Sequence, residues 1–185
     1  PAERRRWQRE AARYRAFERR WCAEYDVVVT VSEHDAAWVR EHYRPRRAVT
    51  VPLPVDAGYF APAAEEAEVP GRVLFTGLMN HPPNADAAAF FAREVFPRVR
   101  ARVPSATFQV VGRHAPPEVL ALAACPGVEV TGAVPDVRPH LAQASVVVVP
   151  LRYGSGARQK ILEAWCAGRC VVSTPLGAEG LEFED

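Results

Sequence analysis

The chain has 185 residues, 49% hydrophobic and 24% charged, which is ordinary for a soluble globular protein. Its 23 basic and 22 acidic residues give a net charge of +1, so composition shows no bias toward nucleic acid. No apolar run is long enough to span a bilayer, and the Arg-rich start has no signal-peptide core. The cysteines are too few and scattered for a disulfide framework or zinc site and predict free thiols in a reducing cytosol: Cys22, Cys125, Cys166 and Cys170.

Residues 3–24 are predicted to form a helix, because apolar side chains recur at three- and four-residue steps. Residues 1–20 also hold eight Arg against three Glu. A basic helix with an aromatic stripe suits peripheral contact with an anionic bilayer, which would be the inner face of the plasma membrane. Packing of the stripe against a preceding domain is the alternative, and we favour it. The stripe comprises Trp7, Ala11, Tyr14, Phe17 and Trp21.

The next stretch predicts a strand at 27–31, a helix over about 33–43 capped by Ser32, and a strand at 49–51. These elements cannot enclose a hydrophobic core alone, so we expect residues 1–52 to be the end of an N-terminal domain. Residues 53–70 are rich in Pro and acidic side chains and predict an interdomain linker.

From residue 71 onward, five short apolar runs alternate with helical segments. This alternation predicts an α/β domain with a Rossmann-like parallel sheet and helices on both faces. The chain stops soon after the fifth run, so we expect residues 71–185 to be a domain that is incomplete at its C-terminus. The predicted strands are 72–76, 107–111, 128–131, 146–149 and 170–174, and the predicted helices are 84–102, 116–124, 136–144 and 158–167.

Each of the first four strands runs into a loop that contains small residues or Pro. The carboxyl ends of parallel strands meet at one edge of a sheet, where ligands bind. Tight turns would explain any single glycine, but four such loops together favour a nucleotide-type site. The dinucleotide fingerprint and the P-loop motif are both absent, which disfavours a dehydrogenase or a P-loop enzyme. The loops are 77–84, 112–115, 132–136 and 151–157.

Three charged residues follow the last of these loops. Arg158 and Lys160 could neutralise a diphosphate, Arg through a bidentate fork and Lys as a point charge. Glu163 lies one helical turn after Lys160 and either accepts hydrogen bonds from two ribose hydroxyls or simply pairs with Lys160. Asp136 suits a helix N-cap better than a catalytic role. The histidines are not spaced as metal ligands, so we expect no metal site.

Several segments together resemble glycosyltransferase family four, whose members are retaining enzymes of the GT-B fold. The resemblance runs along most of the chain and rests on the order and spacing of the motifs. In sequence these are DVVVTVSE at 26–33, PVDAGYFAP at 54–62, VLFTG at 73–77, PPN at 82–84, VVGR at 110–113, VTGAVPD at 130–136, GSGARQKILEAWCAG at 154–168, VVST at 171–174 and GAEG at 177–180.

The resemblance implies that residues 71–185 are the nucleotide-sugar-binding domain and that the first part is the tail of the GT-B N-terminal domain. It implies transfer of a sugar from a nucleotide diphosphate sugar to a saccharide or lipid-linked acceptor hydroxyl, with retention and without a metal or other cofactor. The setting would be cytoplasmic cell-surface polysaccharide biosynthesis. The implied donor-binding residues are Gly77, Asn84, Arg113, Val134, Pro135, Ser155, Gly156, Arg158, Lys160 and Glu163.

Two features depart from the commoner pattern of that family. Ser155 replaces the first Glu of its E-x7-E pair, and residues 78–84 replace an Arg and Lys often found after the first strand. We therefore hypothesise that Lys160 or Arg158 supplies the missing positive charge. The family's catalytic residues in the N-terminal domain lie outside these residues, so the chain alone would bind donor without turnover. The alternative is a non-catalytic nucleotide-sugar-binding module.

Overall fold

The computed structural model describes residues 2–61, 67–154, 156 and 158–181. Contacts divide them into two compact units, the first reaching Pro54 and including the segment from Gly180, and the second spanning Val55–Glu179. The boundary after Pro54 lies inside the predicted linker 53–70. The assignment of the two units to the domains of a larger protein stays a prediction.

The first unit contains two helices and a two-stranded parallel sheet. Ser32 caps the second helix as predicted, because its Oγ accepts a hydrogen bond from the backbone N–H of Asp35 at 3.1 Å. The first strand is two residues shorter than predicted, the second lies one residue earlier than predicted, and Val28 pairs with Ala48. The elements are α1 Ala2–Glu24, β1 Val28–Thr30, α2 Glu33–Tyr43 and β2 Ala48–Thr50.

Helix α1 forms as predicted, and its aromatic stripe is largely open to solvent. Trp7, Tyr14 and Phe17 are 61%, 60% and 61% exposed. Glu18, which lies on the same face of α1 as Ala11, accepts a hydrogen bond from the Tyr43 hydroxyl of α2. Burial, reinforced by Glu18, raises the pKa of Tyr43 to about 12. Within the part of the chain that the structure describes, no helix is both long and apolar enough to cross a membrane.

The second unit is built on a five-stranded, entirely parallel sheet, which confirms the predicted α/β class. Its elements are α3 Ala57–Phe60, β3 Arg72–Thr76, α4 Pro82–Phe90, α5 Phe96–Arg102, β4 Thr107–Val111, α6 Pro117–Leu120, β5 Val128–Gly132, α7 Arg138–Gln143, β6 Val146–Val149, α8 Gln159–Cys166 and β7 Cys170–Ser173. The strand order is β5-β4-β3-β6-β7, so the chain builds outward from β3 on one side and then crosses to β6.

Buried side chains on both faces hold helices against this sheet. On one face, Phe91 and Phe96 pack on Phe108, with ring centroids 4.6 and 5.7 Å from it. On the other face, Leu74 of β3 belongs to a fully buried apolar cluster with Leu141 of α7 and residues of α8. Both faces are therefore closed, and the carboxyl ends of the strands are left for a ligand.

Two helix predictions need correction. The predicted helix 84–102 begins at Pro82, because proline is well tolerated in a first turn, and a π-helical segment at Phe91–Val95 interrupts it. Pro97 follows that segment and lacks an N–H, so it cannot continue the α-helical bonding pattern. The predicted helix 136–144 begins at Arg138 instead. Asp136 is not its N-cap, although its Oδ1 accepts from the Arg138 backbone N–H at 2.9 Å.

Candidate functional site

A cavity of about 800 Å³ opens at the carboxyl ends of the strands in the second unit. It lies where the strand order reverses between β3 and β6, the position at which open parallel sheets bind ligands. Its walls come from all the loops singled out in the sequence and from the start of α8. Its lining residues include Gly77, Asn84, Gly112, Val134, Lys160 and Glu163.

The loops after β3 and β4 touch through their backbones. The Gly77 N–H donates to the Val111 carbonyl, and the Met79 N–H donates to the Arg113 carbonyl, both at 3.0 Å. A Cβ placed on Gly112 would lie 1.7 Å from the Gly77 carbonyl oxygen. Only glycine permits so close an approach, so Gly112 fixes the floor of the cavity.

Lys160 is tied to the opposite wall by Asn84, a buried residue of α4. The Lys160 Nζ donates to the Asn84 Oδ1 at 2.9 Å and lies 4.4 Å from the centroid of the Phe75 ring. The Asn84 Nδ2 in turn donates to the Leu78 carbonyl at 3.0 Å. A Cβ on Gly77 would lie 2.9 Å from the Asn84 Nδ2 and 3.0 Å from the Lys160 Nζ, so Gly77 leaves room for this pair.

Burial governs the titration of Lys160 and Glu163 on α8. Burial first, and the nearby Arg158 second, lower the pKa of Lys160 to about 8, although Glu163 opposes the change. Burial raises the pKa of Glu163, while Lys160 opposes that change. An anionic ligand would favour the charged form of Lys160 and strengthen the site.

The loop before α8 is anchored to α4. The Arg152 guanidinium donates to both carboxylate oxygens of Asp86, at 2.9 and 2.5 Å, and lies 4.7 Å from the Phe90 ring centroid. Gly154 adopts φ +111°, and a Cβ there would lie 3.1 Å from Pro83 Cγ. The described part of this loop therefore packs against α4. The loop leads into Arg158, which lines the cavity.

The loop after β5 forms a different kind of wall. Ala133, Val134 and Val137 offer apolar side chains to the cavity. Behind them, Asp136 pairs with Arg138 at 2.6 Å, and this hydrogen-bonded partner lowers the pKa of the Asp136 carboxyl. This wall suits a flat, largely apolar group such as a nucleobase.

The comparisons with known proteins decide the family. Residues 70–183 match the family described as glycosyl transferases group 1. The chain belongs to this family. No curated protein matches the chain.

Solved structures share the fold of this group 1 chain at low sequence identity. Sucrose-phosphate synthase from Thermosynechococcus elongatus aligns with a TM-score of 0.66 at 18% identity, over 89% of this chain and 44% of the synthase. A glycosyltransferase from Rickettsia africae gives 0.64 at 15%, over 83% and 45%. HepE from Anabaena, solved with UDP and glucose, gives 0.61 at 14%, over 80% and 44%. The fold is that of GT-B glycosyltransferase domains, and the chain spans less than half of each of these proteins.

The cavity brings together most of the donor-binding residues expected from the sequence. It is lined by Gly77, Asn84, Arg113, Val134, Arg158, Lys160 and Glu163. Pro135 and Gly156 are not among its lining residues. Ser155 lies outside the described residues, so what stands in for the first acidic residue stays open. Whether these residues bind a donor stays a prediction.

Sequence reasoning missed some of the cavity wall. His81 and Gln159 line the cavity, and neither is among the predicted site residues, although His81 lies inside the predicted loop 77–84 and Gln159 directly precedes Lys160. Their positions next to predicted site residues could have identified them as lining residues. Leu151 lies inside the predicted loop 151–157, whereas Val137 has no signal beyond its apolar character. Among the described residues, no group of three or more His, Cys, Asp or Glu could hold a metal ion.

Proposed function

We propose that this chain is the donor-binding part of a family-four, retaining glycosyltransferase. The enzyme would transfer a sugar from a nucleotide diphosphate sugar to an acceptor hydroxyl. The observation that carries the proposal is the single cavity at the sheet's switch point, which places Lys160 and Glu163 beside four strand-end loops. Fold similarity to HepE with UDP and glucose, and to pneumococcal GtfA with UDP and GlcNAc, supports the same type of donor.

The donor would lie along the cavity with its diphosphate near Lys160 and Arg158. Its ribose hydroxyls would donate to Glu163, and its base would rest on Val134. The cavity volume of about 800 Å³ falls in the range of small-molecule sites, roughly 300–1,000 Å³. These residues would orient the donor and stabilise the charge of the departing diphosphate.

We expect a saccharide or lipid-linked acceptor, a role in cell-surface polysaccharide synthesis and a cytoplasmic location. Donor binding would need no metal. Adding EDTA should therefore leave donor affinity unchanged, and a loss of affinity restored by Mg²⁺ would contradict this part of the proposal.

Thermal-shift screening of the full-length protein against UDP-, GDP-, ADP- and dTDP-sugars tests donor binding. A ligand at about 100 times its Kd stabilises the native state by about 2.7 kcal/mol, so one donor class should raise the melting temperature clearly. No shift with any of the four would contradict the proposal. Retention is tested separately, by the anomeric configuration of the product in NMR spectra.

A non-catalytic nucleotide-sugar-binding module would use the same cavity, since its groups all serve binding. The two functions separate in one assay. An enzyme releases nucleoside diphosphate from the stabilising donor when a saccharide acceptor is added, whereas a binding module shows the thermal shift without that release.

The exposed aromatic stripe of α1 supports a second, separate proposal of peripheral contact with an anionic membrane. The full-length protein should co-sediment with vesicles containing an anionic lipid and not with zwitterionic ones. Changing Trp7 and Phe17 to Ser should abolish sedimentation, whereas changing the exposed Leu120 should not. If the stripe packs against a preceding domain instead, a peptide of residues 3–24 will sediment and the full-length protein will not.

A further inference from the structure

We propose that Asn84 is a positioning residue that keeps Lys160 away from Glu163, so that the ammonium meets the diphosphate and the carboxylate stays available to the ribose. This inference rests on the proposed function, because it presumes that the cavity takes a nucleoside diphosphate group. It gives Asn84 a role through Lys160 rather than a direct contact with the donor.

The chemistry of the contacts fixes the orientation of the Asn84 amide. The Leu78 carbonyl can only accept a hydrogen bond and the Lys160 ammonium can only donate one. The Nδ2 must therefore face Leu78, at 3.0 Å, and the Oδ1 must face Lys160, at 2.9 Å. The reverse orientation would place donor against donor and acceptor against acceptor. A buried amide with both ends satisfied in this way is a rigid anchor.

Lys160 has another partner within reach if Asn84 does not hold it. Glu163 lies three residues further along α8, the spacing at which side chains on a helix surface meet. Among the described residues, no ion pair within 4.0 Å joins these two groups. Asn84, reaching across from α4, holds the Lys160 Nζ over the Phe75 ring instead.

A Lys160–Glu163 pair would disable both halves of nucleotide recognition. The ammonium would be neutralised before meeting a phosphate, and the carboxylate would be occupied before meeting the ribose. Asn84 is uncharged, so it holds the ammonium without cancelling its charge. An Asp at this position would hold Lys160 equally closely but would remove its net attraction for an anion.

Other charged groups at the cavity do not replace this arrangement. Arg158 stands beside Lys160 and disfavours its charge, while Arg113 and His81 line the cavity from the loops after β4 and β3. They can attract an anion, but Lys160 is the cation one turn from Glu163. Among the described residues, Lys160 is the cation that acts on the Glu163 carboxyl, so the Asn84–Lys160 contact governs whether that carboxylate becomes paired.

The test compares ribose and 2′-deoxyribose nucleotides in the full-length protein. Calorimetric titrations use UDP, GDP and ADP and their 2′-deoxy forms, with the wild type, Asn84→Ala, Lys160→Ala and the double variant. The wild type should prefer the ribonucleotide by about tenfold, the value of a charged hydrogen bond. Asn84→Ala should weaken ribonucleotide binding about tenfold and lose the preference, because Glu163 is then paired. The double variant should bind weakly but regain the preference, because nothing neutralises Glu163.

Nucleotide affinity measured as a function of pH gives a second test of the positioning role. Wild-type affinity should fall as pH rises through about 8, where Lys160 loses its proton, and should stay flat in Lys160→Ala. In Asn84→Ala the Lys160–Glu163 pair should hold the proton to higher pH, so the fall should move upward. Arg98→Ala removes an exposed cation from α5 and serves as the control, with wild-type behaviour expected throughout.

Each contrary result has a distinct meaning. Wild-type affinity in Asn84→Ala, or weaker binding with the ribose preference intact, overturns the positioning role while leaving the proposed function standing. Should Asn84→Ala fail to fold, Asn84→Ser is used, since its shorter polar side chain cannot reach Lys160. Unfolding of both variants overturns the inference, because Asn84 is then structural. A wild type that binds none of UDP, GDP, ADP and dTDP overturns both proposals, whereas one that binds dTDP alone overturns only this inference.

Discussion

The two sides of the cavity are built on different principles. On the side of β3 and α8, Asn84 and Lys160 hold each other, and glycines occupy positions where a single added carbon would collide. On the side of β5, the wall is apolar, and a Cβ placed on Gly132 would meet nothing within 4 Å. A substitution that adds or removes a few atoms on the first side should therefore lower stability or ligand affinity, whereas a similar substitution on the second side should have little effect.

On the side of β3 and α8, the largest loss of stability is expected for a substitution of Gly112. Gly112→Ala puts a Cβ 1.7 Å from the Gly77 carbonyl oxygen, a backbone atom that cannot move without separating β3 from β4. We expect a loss of at least about 3 kcal/mol in the free energy of unfolding, measured by urea denaturation of the full-length protein. Gly58→Ala is the matched control, because its Cβ makes only ordinary contact at 3.4 Å; it should change stability by less than about 1 kcal/mol. Equal stabilities for the two variants would contradict the close backbone contact.

Glu163 should give the next largest effect, on binding rather than stability. Glu163→Gln removes the charge that would accept the ribose hydroxyls, so ribonucleotide affinity should fall about tenfold, or about 1.4 kcal/mol. Affinity for the 2′-deoxy form should change much less. Glu118→Gln, an exposed change on α6, should alter neither affinity. A similar loss for both nucleotides would assign Glu163 a role other than ribose recognition.

Gly77→Ala should produce a smaller loss on the same side. Its Cβ would press on the ends of two side chains, at 2.9 Å from Asn84 and 3.0 Å from Lys160, and side-chain ends yield more easily than backbone. Nucleoside diphosphate affinity should fall by roughly threefold to tenfold, with less than about 1 kcal/mol lost in stability. Affinity equal to that of the wild type would show that the Asn84–Lys160 pair is not confined by Gly77.

Val134→Ala should give the smallest effect and tests the open side. Removing two methyl groups from a partly exposed wall should change nucleotide affinity by less than about threefold, measured by the same calorimetric titrations. A tenfold loss would mean that the β5 side of the cavity is as closely fitted as the side of β3 and α8.

The sheet could be predicted from sequence because each central strand is a short apolar run bounded by small residues. Strands 72–76, 107–111 and 146–149 have the predicted limits. The π-helical segment before Pro97 was not predicted, because helical periodicity alone does not show where a proline's missing N–H will be accommodated. The start of α7 was placed too early at Asp136 for a related reason: the same side chain can cap a helix or close the turn before it.

The cavity, too, has parts that the sequence predicts and parts that it does not. Its loops could be located because they follow predicted strands, and Lys160 and Glu163 could be placed together because they lie one turn apart on one predicted helix. The state of that pair depends on Asn84, which lies 76 residues before Lys160 in the chain. A helical spacing of three residues favours a simple ion pair, and only the fold shows that a neutral amide takes up the ammonium. The β5 side of the cavity offers mostly small apolar side chains, which carry little information about a ligand.

The central claim is that the cavity binds a nucleoside diphosphate through Lys160 and its neighbours on α8. Its most direct test is calorimetric titration of the full-length wild type and Lys160→Ala with the nucleotide that stabilises the wild type most, over a range of salt concentrations. We expect one binding site in the wild type, about tenfold weaker binding in the variant, and a smaller salt dependence once the cation is lost. The same affinity in both proteins at every salt concentration would contradict the claim.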